Sequence, residues 1–182
     1  PEKGHFNFKD IIKAYEDNPH IKEMMLTGGS PTMHPALVNE LTHFAHENGI
    51  FITIETEGSH FLPTDYPIHL LSISPKFSNS VPVLGVETPQ GAITDQKMID
   101  RHNKLRLNYT AMSNMMSYHP DYHIKPVWDG KDEKALEEIL IFIKVMDIPQ
   151  DKVWFMPAGD SREGLFKSYP LVFDWVRDNG YR

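Results

Sequence analysis

The sequence predicts an α/β fold: a partial (β/α) barrel, with an open parallel sheet and outer helices. Two observations carry this reading. Short apolar runs alternate with segments of helical period along the 182 residues, the pattern of parallel strands joined by right-handed crossovers. Three of those runs end in small and polar residues, and parallel α/β folds bind ligands at the carboxyl ends of their strands. Five strand candidates are too few to close an eight-stranded barrel, so the sheet stays open. The chain reads as one domain, without repeat, low-complexity tract or linker.

The elements follow in order. Asn7 caps a helix that carries Phe8, Ile11, Ile12 and Tyr15 on one face. A strand over 22–26 runs into Thr27-Gly28-Gly29-Ser30-Pro31. Pro35 suits the first turn of the next helix, which turns Leu37, Leu41, Phe44 and Ala45 inward and stops near Asn48-Gly49. A strand over 50–54 runs into Glu55-Thr56-Glu57-Gly58-Ser59, and a loop with Pro63 and Pro67 follows. A strand over 69–73 ends at Ser74-Pro75-Lys76. The proline- and glycine-rich stretch 77–92 exceeds ordinary connection length and is a candidate lid.

A long helix is expected over 94–117, then a strand from His123 to Trp128 with Asp129-Gly130 as its turn. A helix over 132–146 buries Leu136, Ile139, Leu140 and Ile143. A strand over 152–156 ends in Pro157-Ala158-Gly159. A last helix, about 169–178, starts at Tyr169-Pro170 and ends near Asn179-Gly180.

Composition narrows the function classes. The formal charge is −7 with no long basic run, which argues against nucleic acid or an anionic membrane as a direct partner. No apolar stretch approaches the roughly 20 residues of a membrane span, and no secretory signal is visible, so a cytoplasmic location is expected. The chain begins at Pro1 and stops at Arg182 beside a helix-like segment, and we expect a fragment cut at both ends. It contains no cysteine, which removes disulfides, thiolate metal sites and a cysteine-held iron–sulfur cluster from what these residues can build.

The strand ends hold the candidate chemistry. The glycines after Leu26 let a ligand approach the backbone, and Thr27 offers a hydroxyl; a turn that binds nothing is the plainer alternative. No P-loop or dinucleotide fingerprint occurs. Lys76 can pair with a carboxylate, donate to hydroxyls or, desolvated, form a Schiff base. Glu55 and Glu57 point to one face of an extended strand and Thr56 to the other; we expect one glutamate at the mouth and the other in solvent. His43 and His46 are spaced as helix metal ligands, but nothing completes a site and solvated histidines are expected. Met112, Met115 and Met116 read as core or interface. Trp128 and Trp154 read as core, with a place beside a flat ligand as the alternative.

Five collinear segments carry a resemblance: MMLTGGSPTMHPALVNEL, ITIETEGS, LLSISPKFSNSVP, YHIKPVWDGKDE and VWFMPAGDSREGL. They resemble the radical S-adenosylmethionine superfamily, and within it the 7-carboxy-7-deazaguanine synthases of queuosine biosynthesis, a tRNA modification pathway. The resemblance implies a partial barrel of the radical S-adenosylmethionine type. It implies a carbon–nitrogen lyase that converts 6-carboxy-5,6,7,8-tetrahydropterin to 7-carboxy-7-deazaguanine. A [4Fe–4S] cluster there cleaves S-adenosylmethionine, the resulting radical takes a substrate hydrogen, and Mg2+ assists. Thr27 matches a substrate contact. Gly29, then Ser74, Pro75 and Lys76, then Lys125, Pro126, Val127 and Trp128 match contacts to S-adenosylmethionine. A pterin substrate and a flavodoxin- or ferredoxin-type reductant are implied as partners; a homodimer is a further candidate assembly.

Two departures shape what to expect. The family usually carries Glu where this chain has Ser30, a neutral acceptor, so weaker cofactor binding or a substitute is expected. The cysteine motif, the magnesium ligand beside it and the C-terminal substrate-binding tail have no counterpart in these residues. The chain is therefore expected to be inactive alone, with an unpaired sheet edge that favours self-association. Three alternatives remain: a glycyl-radical activating enzyme-like protein, a Schiff-base aldolase-like barrel using Lys76, and a non-catalytic ligand-binding remnant.

Overall fold

The computed structural model describes residues 8–88 and 91–182. Asn7, the expected cap of the first helix, lies outside the described residues. The elements are α1 (Phe8–Glu16), β1 (Glu23–Leu26), α2 (Pro35–Glu47), β2 (Phe51–Thr56), β3 (Leu70–Ile73), β4 (Glu87–Thr88), β5 (Gly91–Ala92), α3 (Gln96–Leu105), α4 (Tyr109–Tyr118), β6 (Tyr122–Ile124), β7 (Val127–Trp128), α5 (Glu133–Val145), β8 (Met156–Pro157) and α6 (Arg162–Asn179).

The main sheet is parallel, in the order β1-β2-β3-β6. It continues through the bridge of Ile124 to Val153 and the parallel pair β7–β8. These are the staves of an open partial barrel.

Register separates the two faces. Met24 pairs Ile52, Leu26 pairs Ile54, Ile54 pairs Leu71 and Ile73 pairs Ile124, which stacks the apolar residues on one face. That face is the core, shared with Val38, Leu41 and Ala45 of α2, Met112 and Met115 of α4, and Ile139, Phe142 and Ile143 of α5. Burial of such side chains is the dominant stabilising term, on the order of 1.5–3 kcal/mol each. On the opposite face, Glu55 pairs Ser72 and Ser72 pairs His123. One period-2 alternation thus gives an apolar back and a polar front at the carboxyl end of the sheet.

Several expectations are corrected. The helix expected over 94–117 is two helices, because the Asn108 side chain accepts from Ala111 N and starts α4 afresh. The last helix begins at Arg162, not Tyr169: Ser161 caps it by accepting from Gly164 N, and Pro170 lies inside it. Residues 150–152 form a 3-10 turn, which leaves only Met156–Pro157 as strand. The strand from His123 to Trp128 divides at Lys125-Pro126 into β6 and β7. In α2, Leu37 is exposed and Val38 takes the inward position. In α5, Leu136 and Leu140 are only partly buried, while Ala135 and Phe142 are fully so. The stretch 77–92 contains a short 3-10 turn, Ser78–Ser80, and the antiparallel pair β4–β5.

Candidate functional site

The carboxyl ends of β1, β2, β3 and β6 enclose a cleft of about 520 Å³. Each strand delivers its contribution where its apolar run gives out. After Leu26, Gly28 and Gly29 take φ of 82° and 55°, the left-handed region that only glycine enters at little cost. A Cβ on either would meet nothing within 4 Å, so the backbone there is open to an approaching ligand.

Ion pairing joins β2 to the end of β6. Lys125 Nζ lies 2.6 Å from Glu55 Oε1, and Thr27 Oγ1 donates to Glu55 Oε2 at 2.8 Å. The Lys125 and Thr27 hydrogen bonds hold the Glu55 carboxyl below its ordinary pKa. Beyond β3, Ser74 N donates to Thr56 O at 2.7 Å and Ser74 Oγ to the Lys125 carbonyl at 3.1 Å. Arg106 fixes the backbone of Lys76: its guanidinium donates to Lys76 O at 3.2 Å and to Glu138 Oε1 at 2.7 Å. Glu138 also accepts from Ser78 N at 2.6 Å.

Glu57 sits in a cage of hydroxyls. Ser30 Oγ donates to its Oε1 at 2.9 Å, and Ser59 Oγ donates to the same oxygen. Burial pushes Glu57 up, but the bonds from Ser59, its own backbone N–H and Ser30 outweigh it and keep the carboxyl below its ordinary pKa. Both glutamates thus line the cleft, against the expectation that one would stand in solvent. The strand ends at Thr56, and Gly58 (φ 81°) turns the chain so that alternation no longer places residue 57.

Of the residues matched by resemblance, Thr27, Gly29, Ser74, Lys76 and Lys125 line this one cleft. Pro75, Pro126, Val127 and Trp128 are not among its lining residues. Past Lys125 the chain pairs with β8, and Trp128 turns into an aromatic cluster with Phe155 and Trp175, its Nε1 donating to Asp132 O at 2.9 Å. Trp154 is 43% exposed beside His123.

Ser72 and His102 also line the cleft and escaped the sequence reading. The register of Ser72 opposite Glu55 was the available signal for the first. His102 comes from α3, a remote element with no local signal. Its Nδ1 is buried without a partner among the described residues, and burial, Arg106 and Lys76 all lower its pKa. His43 and His46 pack around Tyr66, with His43 Nε2 2.8 Å from Asp65 Oδ2. Among the described residues no group of three or more His, Cys, Asp or Glu is arranged to hold a metal ion. Met112 and Met115 are fully buried, as expected of core residues.

No family model matches the chain. Curated relatives do. The 7-carboxy-7-deazaguanine synthase of Halobacterium salinarum is 28% identical over 185 residues, which covers all of this chain and 69% of the relative. The enzyme of the same name from Rhodopirellula baltica is 28% identical over 182 residues, again all of this chain and 65% of the relative. Along its whole length the chain is similar to enzymes of this name.

Solved structures agree on the fold. The crystal structure of QueE from Escherichia coli superposes with a TM-score of 0.58 at 16% identity, covering 96% of this chain and 61% of that one. Native anSMEcpe with bound AdoMet superposes with a TM-score of 0.53 at 15% identity, covering 100% of this chain and 55% of that one. The fold is the open partial (β/α) barrel that these structures share. The chain spans about two thirds of the length of its curated synthase relatives. None of its described helices is long and apolar enough to cross a membrane.

Proposed function

We propose that this chain forms the cofactor- and substrate-facing cleft of a radical S-adenosylmethionine lyase. The proposed reaction converts 6-carboxy-5,6,7,8-tetrahydropterin to 7-carboxy-7-deazaguanine. One observation carries the reading: Thr27, Gly29, Ser74, Lys76 and Lys125, drawn from three strand ends, converge on one cleft.

The donor set fits S-adenosylmethionine. Open glycine-loop carbonyls and Glu57 offer acceptors to an ammonium group, Lys76 offers donors to a carboxylate or ribose, and the Ser74 hydroxyl, whose proton goes to the Lys125 carbonyl, offers an acceptor to a ribose hydroxyl. When bound and cleaved, the cofactor supplies the radical that takes a substrate hydrogen. The chain's own residues bind and orient: Lys125 and Thr27 keep Glu55 ionised and fixed at the cleft floor. The donor set does not fit a [4Fe–4S] cluster, since the 182 residues include no cysteine, and among the described residues no cluster of acids is arranged for Mg2+. Thiolates for a cluster come from outside these residues, and the chain alone is inactive. A pterin substrate, a flavodoxin- or ferredoxin-type reductant, homodimer formation and a cytoplasmic location belong to the same proposal.

The test is turnover. A protein carrying these residues together with a cysteine-bearing segment, reconstituted with iron and sulfide, should form 7-carboxy-7-deazaguanine. The 182-residue chain treated the same way should show no stoichiometric cluster absorbance. Lack of product from the first would favour the second reading, a non-catalytic ligand-binding domain, which the cysteine-free composition supports.

A further inference from the structure

The two carboxylates of the cleft differ in one respect. Glu55 is neutralised by Lys125 at 2.6 Å. Glu57 is half-buried, and among the described residues no lysine or arginine forms an ion pair with it. Its surroundings are hydroxyls: Ser30 at 2.9 Å, Ser59, and behind Ser59 the His60 Nδ1 at 2.7 Å from that hydroxyl. The first two donate to a single oxygen, Oε1. A partly desolvated anion is costly without a counter-charge. Here the counter-charge has to enter the cleft.

We infer that Glu57 is the residue that receives the ammonium group of the ligand, with Ser30 as the positioning residue that aims its carboxylate beside the Gly28-Gly29 loop. This rests on the proposed cofactor reading and deepens it. The ligand class is a compound with an α-amino-acid end, and S-adenosylmethionine is its member under that reading. Lys76, which has no ion-pair partner among the described residues, also lines the cleft and is available to the ligand's carboxylate. Ser30 itself is neutral and too short to carry this role, but its Oγ stands 2.9 Å from Glu57 Oε1, so a longer acid at residue 30 reaches the same point.

Calorimetric titration of the chain with S-adenosylmethionine and with 5′-methylthioadenosine, which lacks the amino-acid end, tests the inference. Glu57→Gln should weaken S-adenosylmethionine by about 10- to 100-fold, the worth of one charge-assisted bond, and leave methylthioadenosine within about 2-fold. The double variant Ser30→Glu/Glu57→Gln should recover most of the loss, which a merely structural role for Glu57 would not produce. Equal weakening of both ligands, or no rescue, overturns the inference. Failure of the unsubstituted chain to bind either ligand overturns the cofactor reading itself, and the inference with it. Thermal melts of each variant identify any loss caused by unfolding.

Discussion

Lys125 reaches over the end of β3 to pair with Glu55, two strands away in the sheet, so the closing ion pair of the cleft spans 70 residues of sequence. Ser72, the β3 residue in register with Glu55, lies beneath that span. Three strand ends are therefore locked by one pair. Replacing Lys125 with Met keeps the apolar stem and deletes the charge. The Glu55 carboxyl should then titrate higher, because its largest stabilising partner is gone while burial, which raises it, remains. Carbon-13 titration of the glutamate carboxyls reads the shift; an unmoved Glu55 would show that Thr27 alone sets it.

The pH dependence of stability should be governed by histidines before carboxylates. His119 is 3% exposed, and its Nδ1 accepts from Ile68 N at 3.0 Å, so it is neutral with the proton on Nε2, facing Leu62 O. Burial lowers its pKa, partly offset by the Leu62 bond. Burial also lowers those of His123 and His102. For a depressed histidine the unfolded chain binds the proton more readily. The stabilisation is complete above the unfolded value of about 6.5 and fades as pH falls toward the folded one. Urea unfolding should show a flat free energy above about pH 7 and a fall through pH 6 and 5. Glu55 and Glu57 add a second fall only below about pH 4.3. His119→Gln should shrink the first fall, leaving the share of the other two histidines. A fall of unchanged size would assign the slope to His102 and His123 alone.

Much of this was legible in the chain because it was written in local terms. The apolar runs at Met24, Ile52 and Leu71 gave way to glycine, glutamate and serine, and the structure brings those ends together. What escaped depends on distant or competing signals. Asn108 divides the expected long helix because its side chain both caps α4 and donates to Ser59 O at 2.9 Å, a tertiary contact absent from any local window. Pro170 looked like a helix start because proline favours the first turn, but Ser161 caps eight residues earlier than Tyr169. Glu57 was assigned by strand alternation in a segment where Gly58 had already ended the strand.

Gly58 should tolerate no side chain. Its φ is +81°, and a Cβ built on it would stand 2.6 Å from Met112 Cγ, 2.9 Å from Met112 Sδ and 3.1 Å from Ile73 Cγ2. Met112 is fully buried, so it has little room to yield. Backbone strain of about 1–2 kcal/mol and overpacking of about 1–3 kcal/mol predict a loss of about 2–5 kcal/mol for Gly58→Ala. Because Gly58 directs Glu57, ligand affinity should fall with stability. A variant as stable as the parent would contradict the close packing of this turn.

Asn108→Ala separates a cap from a cleft contact. Loss of the bond to Ala111 N should cost about 0.5–2 kcal/mol, as for other helix N-caps. Loss of the bond to Ser59 O frees the segment that holds Ser59 against Glu57. Asn108→Asp keeps the acceptor for Ala111 N but removes the amide donor to Ser59. It should therefore retain stability while weakening ligand binding. If both variants bind the ligand as the parent does, the Ser59 contact has no part in shaping the cleft.

Pro170 lies nine residues into α6 and is exposed, so it removes one backbone donor from the helix without burying its ring. The carbonyl of Phe166, four residues earlier, loses its intrahelical partner. Pro170→Ala should restore that bond and relieve the ring's clash, raising stability by about 1–3 kcal/mol, or about 2–4 °C in Tm for each kcal/mol in a chain of this size. The opposing effect is a change in the path of α6. A Cβ on Gly130 would lie 2.5 Å from Leu171 Cβ, so α6 approaches the Asp129-Gly130 turn closely next to the proline. A straightened helix would disturb that approach. A rise in Tm shows that the helix carries the proline at a cost; a fall shows that the proline sets the course by which Leu171 and Val172 meet Gly130.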